Sequence, residues 1–277
     1  MIFWCILLVT ILIWLFYEWI EHTMIEYGST TVECSKLNPE ETVKLCVIAD
    51  LHNNKKNLTR ICAEIKAYGP DGILIPGDMV NKHGRSQQNA IAIFKELVKI
   101  APVYYSFGNH EEKLRTEKDI HWENYVEKLP VGVTLLDNTS VTTTIGKRDV
   151  CISGLSLPQE YYRKGRLLEN TESLPKISCK TDGLHLLLAH NPEYAEWYAD
   201  YHPDVVFSGH LHGGLLRLPY VGGVLSPRLR IPREDAGAYP YPFGTLFVTR
   251  GLGSHTIPLR FFNRAEVNFI VLCGENK

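Results

Sequence analysis

Apolar residues run without a charge from Ile2 to Tyr17. As a helix, that run spans about 24 Å, just short of a ~30 Å hydrocarbon core. Carrying it on to Ile20 nearly closes the gap. Trp14, Tyr17 and Trp19 stand where an aromatic belt would hold one end, with Glu18 among the headgroups. A cleaved signal peptide would carry Lys or Arg ahead of the run and a small-residue cleavage site behind it. A core helix would show a polar face. The segment has none of these features, so residues 1–20 are read as a transmembrane anchor. No Lys or Arg stands near it before Lys36, while Glu18, Glu21, Glu26 and Glu33 follow it. That leaves the amine of Met1 as the positive group at the other end, so the rest of the chain is expected on the extracytoplasmic side.

Residues 21–41, with Tyr27–Glu41 polar throughout and holding Gly, Ser, Thr and Pro, read as a tether. From Thr42 a regular alternation begins and defines one domain over 42–277. Val43–Ala49, Gly72–Ile75 and Val103–Ser106 are short apolar strand patterns. Leu58, Ile61, Cys62 and Ile65, then Ala90, Ile93, Phe94 and Leu97, repeat at helical spacing between them. Such a βαβαβ start implies a parallel sheet with right-handed crossovers. A third helix is expected over about Glu117–Leu129. Short strands then follow at Thr134–Leu136, Val141–Ile145, Val150–Ser153, Leu184–Ala189, Val205–Phe207, Leu246–Thr249 and Val267–Leu272. The pattern suggests an α/β protein with two β-sheets face to face and helices outside. Gly213–Gly244, with five prolines, reads as a long loop or ragged hairpin.

Composition narrows the chemistry. Hydrophobic residues at 45% and charged residues at 22% exclude wholesale disorder. A net charge of -2 provides no basic field for a nucleic-acid backbone, and no nucleic-acid partner is expected. The seven cysteines form no CxxC pair, which argues against a zinc knuckle. Cys46 and Cys62 fall on apolar faces and read as small buried hydrophobes. No GxSxG motif is present, so a serine-hydrolase elbow is not indicated.

The polar residues that matter sit at strand ends, where open α/β sheets place their ligands. They are Asp50-Leu51-His52, Gly77-Asp78, Gly108-Asn109-His110-Glu111, Ala189-His190 and Gly209-His210-Leu211-His212. Asp-x-His and His-x-His put alternate side chains on one side of an extended segment. Any one of these residues could be a helix cap, a turn former or a satisfied core histidine. Converging together in a buried place, they would cost several kcal/mol without a cation. A thiolate-free N/O set suits manganese, iron or zinc, and its size suits two divalent ions sharing a carboxylate.

This run of motifs, D-x-H, G-D, G-N-H-E, H and G-H-x-H from Asp50 to His212, resembles that of the calcineurin-like metallophosphoesterases. The resemblance implies a four-layer α/β/β/α sandwich of two mixed β-sheets. It implies that Asp50, His52 and His212 bind one metal, that Asn109, His190 and His210 bind another, and that Asp78 bridges them. His110 would stabilise the transition state or protonate the leaving group. Ala189-His190-Asn191-Pro192, Gly209–Gly214 and Arg250–Gly253, with the anchor, look like a bacterial branch of membrane-associated phosphodiesterases that includes enzymes cleaving the pyrophosphate of UDP-diacylglucosamine. Leu215 and Asn53-Asn54 depart from that branch at the substrate rim and leave the substrate open.

The expected activity is hydrolysis of a phosphodiester or pyrophosphate in a lipid or lipid-linked molecule, by metal-hydroxide attack on phosphorus. A phosphomonoesterase, including a phosphoprotein phosphatase, is the alternative within that chemistry, and a non-catalytic scaffold is the alternative outside it. Arg250 could contact substrate phosphate or form a structural ion pair. His255 is expected near the cleft, and Glu111 as an orienting group. His185 has no partner that the sequence identifies, and His22, His83, His121 and His202 read as surface residues. Arg217, Arg228, Arg230 and Arg233, interleaved with Leu215, Leu216, Leu218, Tyr220 and Val221, suit a surface that meets lipid.

Overall fold

The computed structural model describes residues 2–81, 87–163, 174–179, 181–214, 216–218, 220–224, 231–253 and 260–275. Helix α1 covers Ile2–Thr23, one turn beyond the expected anchor. It is followed by strand β1 at Ile25–Glu33. This corrects the tether reading: β1 pairs in parallel with β14, from Ile25↔Ala265 to Glu33↔Cys273. As an edge strand with alternating half-buried and exposed positions, it keeps Ser and Thr on its wet face and shows no continuous apolar run.

The remaining strands are β2 (Thr42–Val47), β3 (Gly72–Ile75), β4 (Val103–Tyr105), β5 (Val133–Leu135), β6 (Thr139–Ile145), β7 (Arg148–Leu155), β8 (Leu184–Ala189), β9 (Val205–Ser208), β10 (Arg217–Leu218), β11 (Gly222–Gly223), β12 (Gly237–Tyr241), β13 (Gly244–Val248) and β14 (Ala265–Cys273). They form two mixed six-stranded sheets, ordered β1-β14-β2-β3-β4-β5 and β12-β13-β9-β8-β7-β6, and a small β10-β11 ribbon. Gly213–Gly244 therefore holds, among its described residues, the β10-β11 hairpin and the first strand of a second hairpin, β12-β13.

Strand alternation decides the layers. Leu45, Val47, Leu74, Leu186, Leu188 and Phe207 point between the sheets into one core. Their neighbours Cys46, Ile73 and Ile75 face outward, against α2 (Leu58–Tyr68) and α3 (Gln88–Leu97). On the second sheet Leu187, Ala189 and Val206 meet Tyr161, Tyr194 and Tyr198. These tyrosines belong to the 3-10 helices Gln159–Tyr162 and Pro192–Tyr201, which supply that outer layer among the described residues. Cys46 is fully buried as expected, and Cys62 is only partly so. A disulfide joins Cys151 on β7 to Cys179.

The helix expected over about Glu117–Leu129 is present in shorter form, and a further helix, not expected, precedes it. Helix α4 covers Asn109–Thr116 and α5 covers Ile120–Glu127. The first starts at once after β4, because the Glu111 side chain accepts the Gly108 N–H at 2.9 Å and caps the first turn. Its polar sequence carries no helical apolar period to reveal it.

One topological detail governs function. β14 runs antiparallel to β2, and β1 runs parallel to β14. The start of β1 therefore lies at the edge of the sheet where β2, β3 and β4 end. The end of α1 is thereby delivered to the same side of the molecule as the strand-end clusters.

Candidate metal centre

The loops after β2 and β3 are zipped together. Asp50 N–H donates to Gly77 O at 3.0 Å, and His52 N–H to Asp78 O at 3.1 Å. Asp50, His52, Asp78, His210 and His212 all adopt left-handed backbone, with φ between 49° and 71°. That region is uncommon for residues other than glycine, and such departures gather at functional sites. Two glycines permit the approach: a Cβ on Gly108 would overlap Asp78 Oδ1, and one on Gly209 would overlap Asp50 Oδ2.

Three groups of ligand-type atoms result, each with all atoms within 4.8 Å: Asp50–His52–His212, His52–Asp78–His110 and Asp78–His190–His210. Asp50 Oδ1 lies 3.4 Å from His212 Nε2 and 3.7 Å from both His52 Nε2 and His190 Nε2. Asp78 Oδ2 lies 3.2 Å from His190 Nε2 and 3.9 Å from His110 Nε2. Asn109 Oδ1 is buried with no hydrogen-bond partner.

A cation fits this donor set. His190 Nδ1 is 2.7 Å from the carbonyl of Pro76, an acceptor only, so Nδ1 carries the proton. Nε2 then faces the Asp78 carboxylate at 3.2 Å in a fully buried place, a pair that must share either a proton or a cation. Electrostatics say the same. Burial pushes the Asp50 carboxyl up to about 7, with His190 pulling it down and Asp78 pushing it further up. Asp78, although burial works against it, is held well below the usual carboxylate range by His190, His110 and His52. Burial opposes protonation of His190, yet Asp78 and Asp50 lift it to about 9. Surplus negative charge in a dry pocket draws in whatever positive charge is at hand, and divalent ions supply it best.

Glu111 holds this arrangement together. Its carboxylate is buried and accepts the N–H groups of Asp78, Met79, Val80 and Gly108 and the Tyr105 hydroxyl, at 2.7–3.1 Å. The orienting role read from the sequence holds and is larger than expected. Arg250 differs from its substrate reading. Its guanidinium is buried and engaged by Glu266, at 2.6 Å from Nε and 2.5 Å from Nη2, and by Glu26 at 3.0 Å. It braces the loop beneath Asp50 through Nε and Nη2, the ion-pair alternative of the two that the sequence offered. His255 lies outside the described residues, as do His83, Leu215, Arg228 and Arg230, and the His121 side chain is not described. His185 finds partners in Ser153 Oγ at 2.8 Å and the His202 carbonyl at 3.2 Å. His202 is exposed, whereas His22 is half-buried and faces Glu18 at 3.6 Å.

Two residues escaped the sequence reading. Tyr162 sets its ring edge-on to His210, with centroids 5.1 Å apart. Its hydroxyl is buried and has no hydrogen-bond partner. Asn263 Nδ2 donates to the carbonyls of His212 at 2.6 Å and Gly214 at 3.0 Å. Its own N–H donates to Glu21 of α1 at 2.9 Å. Nothing local in the sequence announces either residue.

Known proteins carry the same features. The chain is 30% identical over 234 residues to the Escherichia coli phosphodiesterase YaeI, covering 83% of this chain and 82% of that one. It is 26% identical over 271 residues to the metallophosphoesterase YkuE of Bacillus subtilis, covering 94% and 89%. A zebrafish (Danio rerio) transmembrane protein with a metallophosphoesterase domain is 27% identical over 244 residues, covering 83% of this chain and 53% of its own length. The calcineurin-like phosphoesterase profile matches residues 43–214, which contain every strand-end cluster described above. The chain belongs to the calcineurin-like phosphoesterases and is a metal-dependent phosphoric ester hydrolase.

Proposed function

We propose that the protein is a membrane-anchored phosphodiesterase or pyrophosphohydrolase acting on a lipid or lipid-linked substrate. The observation that carries this reading is the joining of the metal-type cluster to a membrane-length helix. Asn263 ties the His212 loop to Glu21, at the end of an apolar helix of 22 residues. The phosphodiesterase named among the relatives supports the diester preference.

In this reading Asp50, His52 and His212 hold one divalent ion, Asn109, His190 and His210 a second, and Asp78 is shared. Manganese, iron or zinc suits the set. When bound, such ions supply Lewis acidity that activates water and neutralises phosphoryl oxygens. The rest falls to the chain. Pro76 and Glu111 fix the His190 tautomer and the Asp78 loop. His110 is held by its own N–H, which donates to Asp78 Oδ1 at 2.8 Å, with Nδ1 3.2 Å from His52 Nδ1. Its partly open ring holds a proton at Nε2 for the leaving oxygen.

The test is the full chain in detergent with manganese, assayed on bis-p-nitrophenyl phosphate beside p-nitrophenyl phosphate. Preference for the diester is expected; preference for the monoester makes the protein a phosphatase. His110→Asn should lower diester turnover about 100-fold while metal content stays at the parent value. Loss of metal in that variant would make His110 a ligand instead.

An outward-facing domain fits the Cys151–Cys179 bond, since disulfides persist in oxidising compartments. Protein alkylated before lysis and mapped by mass spectrometry should show these two cysteines joined. Finding both alkylated would place the domain on the reducing side.

A further inference from the structure

We propose that the turn bearing Tyr220 and Val221, with Leu216, Leu218 and Phe262, is a second membrane contact: an apolar lip that enters the lipid interface beside α1 and holds the metal site against the bilayer surface. This deepens the anchored reading above and rests on it.

The lip is solvent-facing and apolar. Tyr220 is fully exposed, Val221 is 72% exposed and Phe262 47%. Large apolar side chains gathered on a surface call for a covering partner. The ribbon β10-β11 presents the turn, and Leu218, Tyr220, Val221 and Phe262 line one hollow. Its basic residue, Arg217, is paired with Asp235, which also accepts the Gly223 N–H at 2.6 Å. Among the described residues that line the hollow, the two charges are thus paired with each other and need not enter lipid unneutralised.

The occupant follows from what lies next to the lip. Phe262 N–H donates to the Tyr17 hydroxyl at 2.7 Å, and the two rings lie 5.5 Å apart. Tyr17 is the last residue of α1 before its first charge, Glu18, so this is the level at which an inserted helix leaves the hydrocarbon. The lip is therefore continuous, at interface depth, with the exposed apolar surface of α1. Cations stand about 9 Å farther along the helix, on the headgroup side: Lys55 and Lys56 are exposed, and the adjoining Asn57 amide donates to Thr23 O at 2.8 Å. Amines placed there suit anionic headgroups.

The lip and the metal cluster are parts of one piece of structure. Asn263, next to Phe262, holds the His212 and Gly214 carbonyls, and the ribbon begins shortly after Gly214. Two membrane contacts, helix and lip, fix the orientation of the domain as one flexible tether would not. The site is then presented to phosphates at headgroup height.

The test uses the full chain reconstituted in phosphatidylethanolamine–phosphatidylglycerol vesicles. An environment-sensitive fluorescent amino acid is placed at residue 221. The control position is 131, which is fully exposed ahead of β5, at the sheet edge away from α1. Doxyl-labelled lipid should quench the probe at 221 and leave the one at 131 bright. Equal quenching at the two positions overturns the lip. So does a probe at 221 shielded from iodide but untouched by doxyl lipid, a result that would put a second copy of the chain there. Leu218→Asp with Val221→Asp should keep soluble-diester turnover in detergent within about twofold, and cut turnover of a diester lipid in vesicles about tenfold. The quenching result judges the lip even if no diester is cleaved, so failure of the activity and failure of the lip are told apart.

Discussion

Replacing Asp78 with Ala should strip the purified protein of both ions and lower diester turnover about 10⁴-fold. The expectation follows from where the carboxylate sits. It belongs to the group with His52 and His110 and also to the group with His190 and His210. Its removal takes a ligand from each side and leaves His190 with the more distant Asp50 carboxylate, at 3.7 Å. Asp50 makes the contrast. It lies near His52, His212 and His190, but the groups containing Asp78 survive its loss. Asp50→Ala should therefore keep close to one equivalent of metal by elemental analysis, where Asp78→Ala keeps none. Asp78 has φ of 54°, a conformation that Ala tolerates poorly and Asn accepts. Asp78→Asn separates lost charge from lost backbone geometry. If Asp78→Ala retained two equivalents at parent affinity, the shared-carboxylate assignment would be wrong.

How much of this could be read along the chain depends on the range of each interaction. The strands β3, β4, β8 and β9, and β2 from Leu45 on, are buried on both faces, so each shows as a mainly apolar run with a polar cluster at its end. Strand and ligand appear together in a few residues. The edge strand β1 is buried on one side of alternate positions only, and its Ser29, Thr30 and Thr31 read as linker. Helix α4 is polar and is held by a carboxylate, Glu111, whose partners lie on another loop up to 33 residues away. Arg250 shows the same limit. Its position beside a glycine turn is equally consistent with a phosphate or an ion pair, and only the approach of Glu26 and Glu266 decides between them. The link from Glu21 to Asn263 spans 242 residues, so no local pattern encodes it.

That link makes the amino terminus the second large test. A chain cut at Thr42, where the regular alternation starts, should be unfolded or aggregated, while one cut at Ile25 should fold with a weakened metal site. Cutting at Thr42 removes β1 and with it the whole ladder on β14. The open edge then exposes the backbone of a nine-residue strand, and Phe269 loses its stacking on Tyr27. A loss of about 5 kcal/mol or more in burial and hydrogen bonds matches the whole stability of an ordinary domain. Cutting at Ile25 keeps that ladder and removes Glu18 and Glu21. Asn263 N–H and the Arg264 guanidinium, both 2.9 Å from Glu21, would then lose a charged partner in a largely dry place. A cost of about 1–3 kcal/mol is expected, felt first where Asn263 holds the His212 carbonyl. Thermal unfolding with and without manganese should rank the full chain above the Ile25 form, with the Thr42 form giving no cooperative transition. If the Thr42 form melted with the full chain and held two equivalents of metal, β1 would be a passenger. The anchor would then be only a tether, as its composition alone suggests. If the ranking holds, pulling the helix out of the membrane-side contacts loosens the very loop that bears His212, so that the activity is tied to the anchored state.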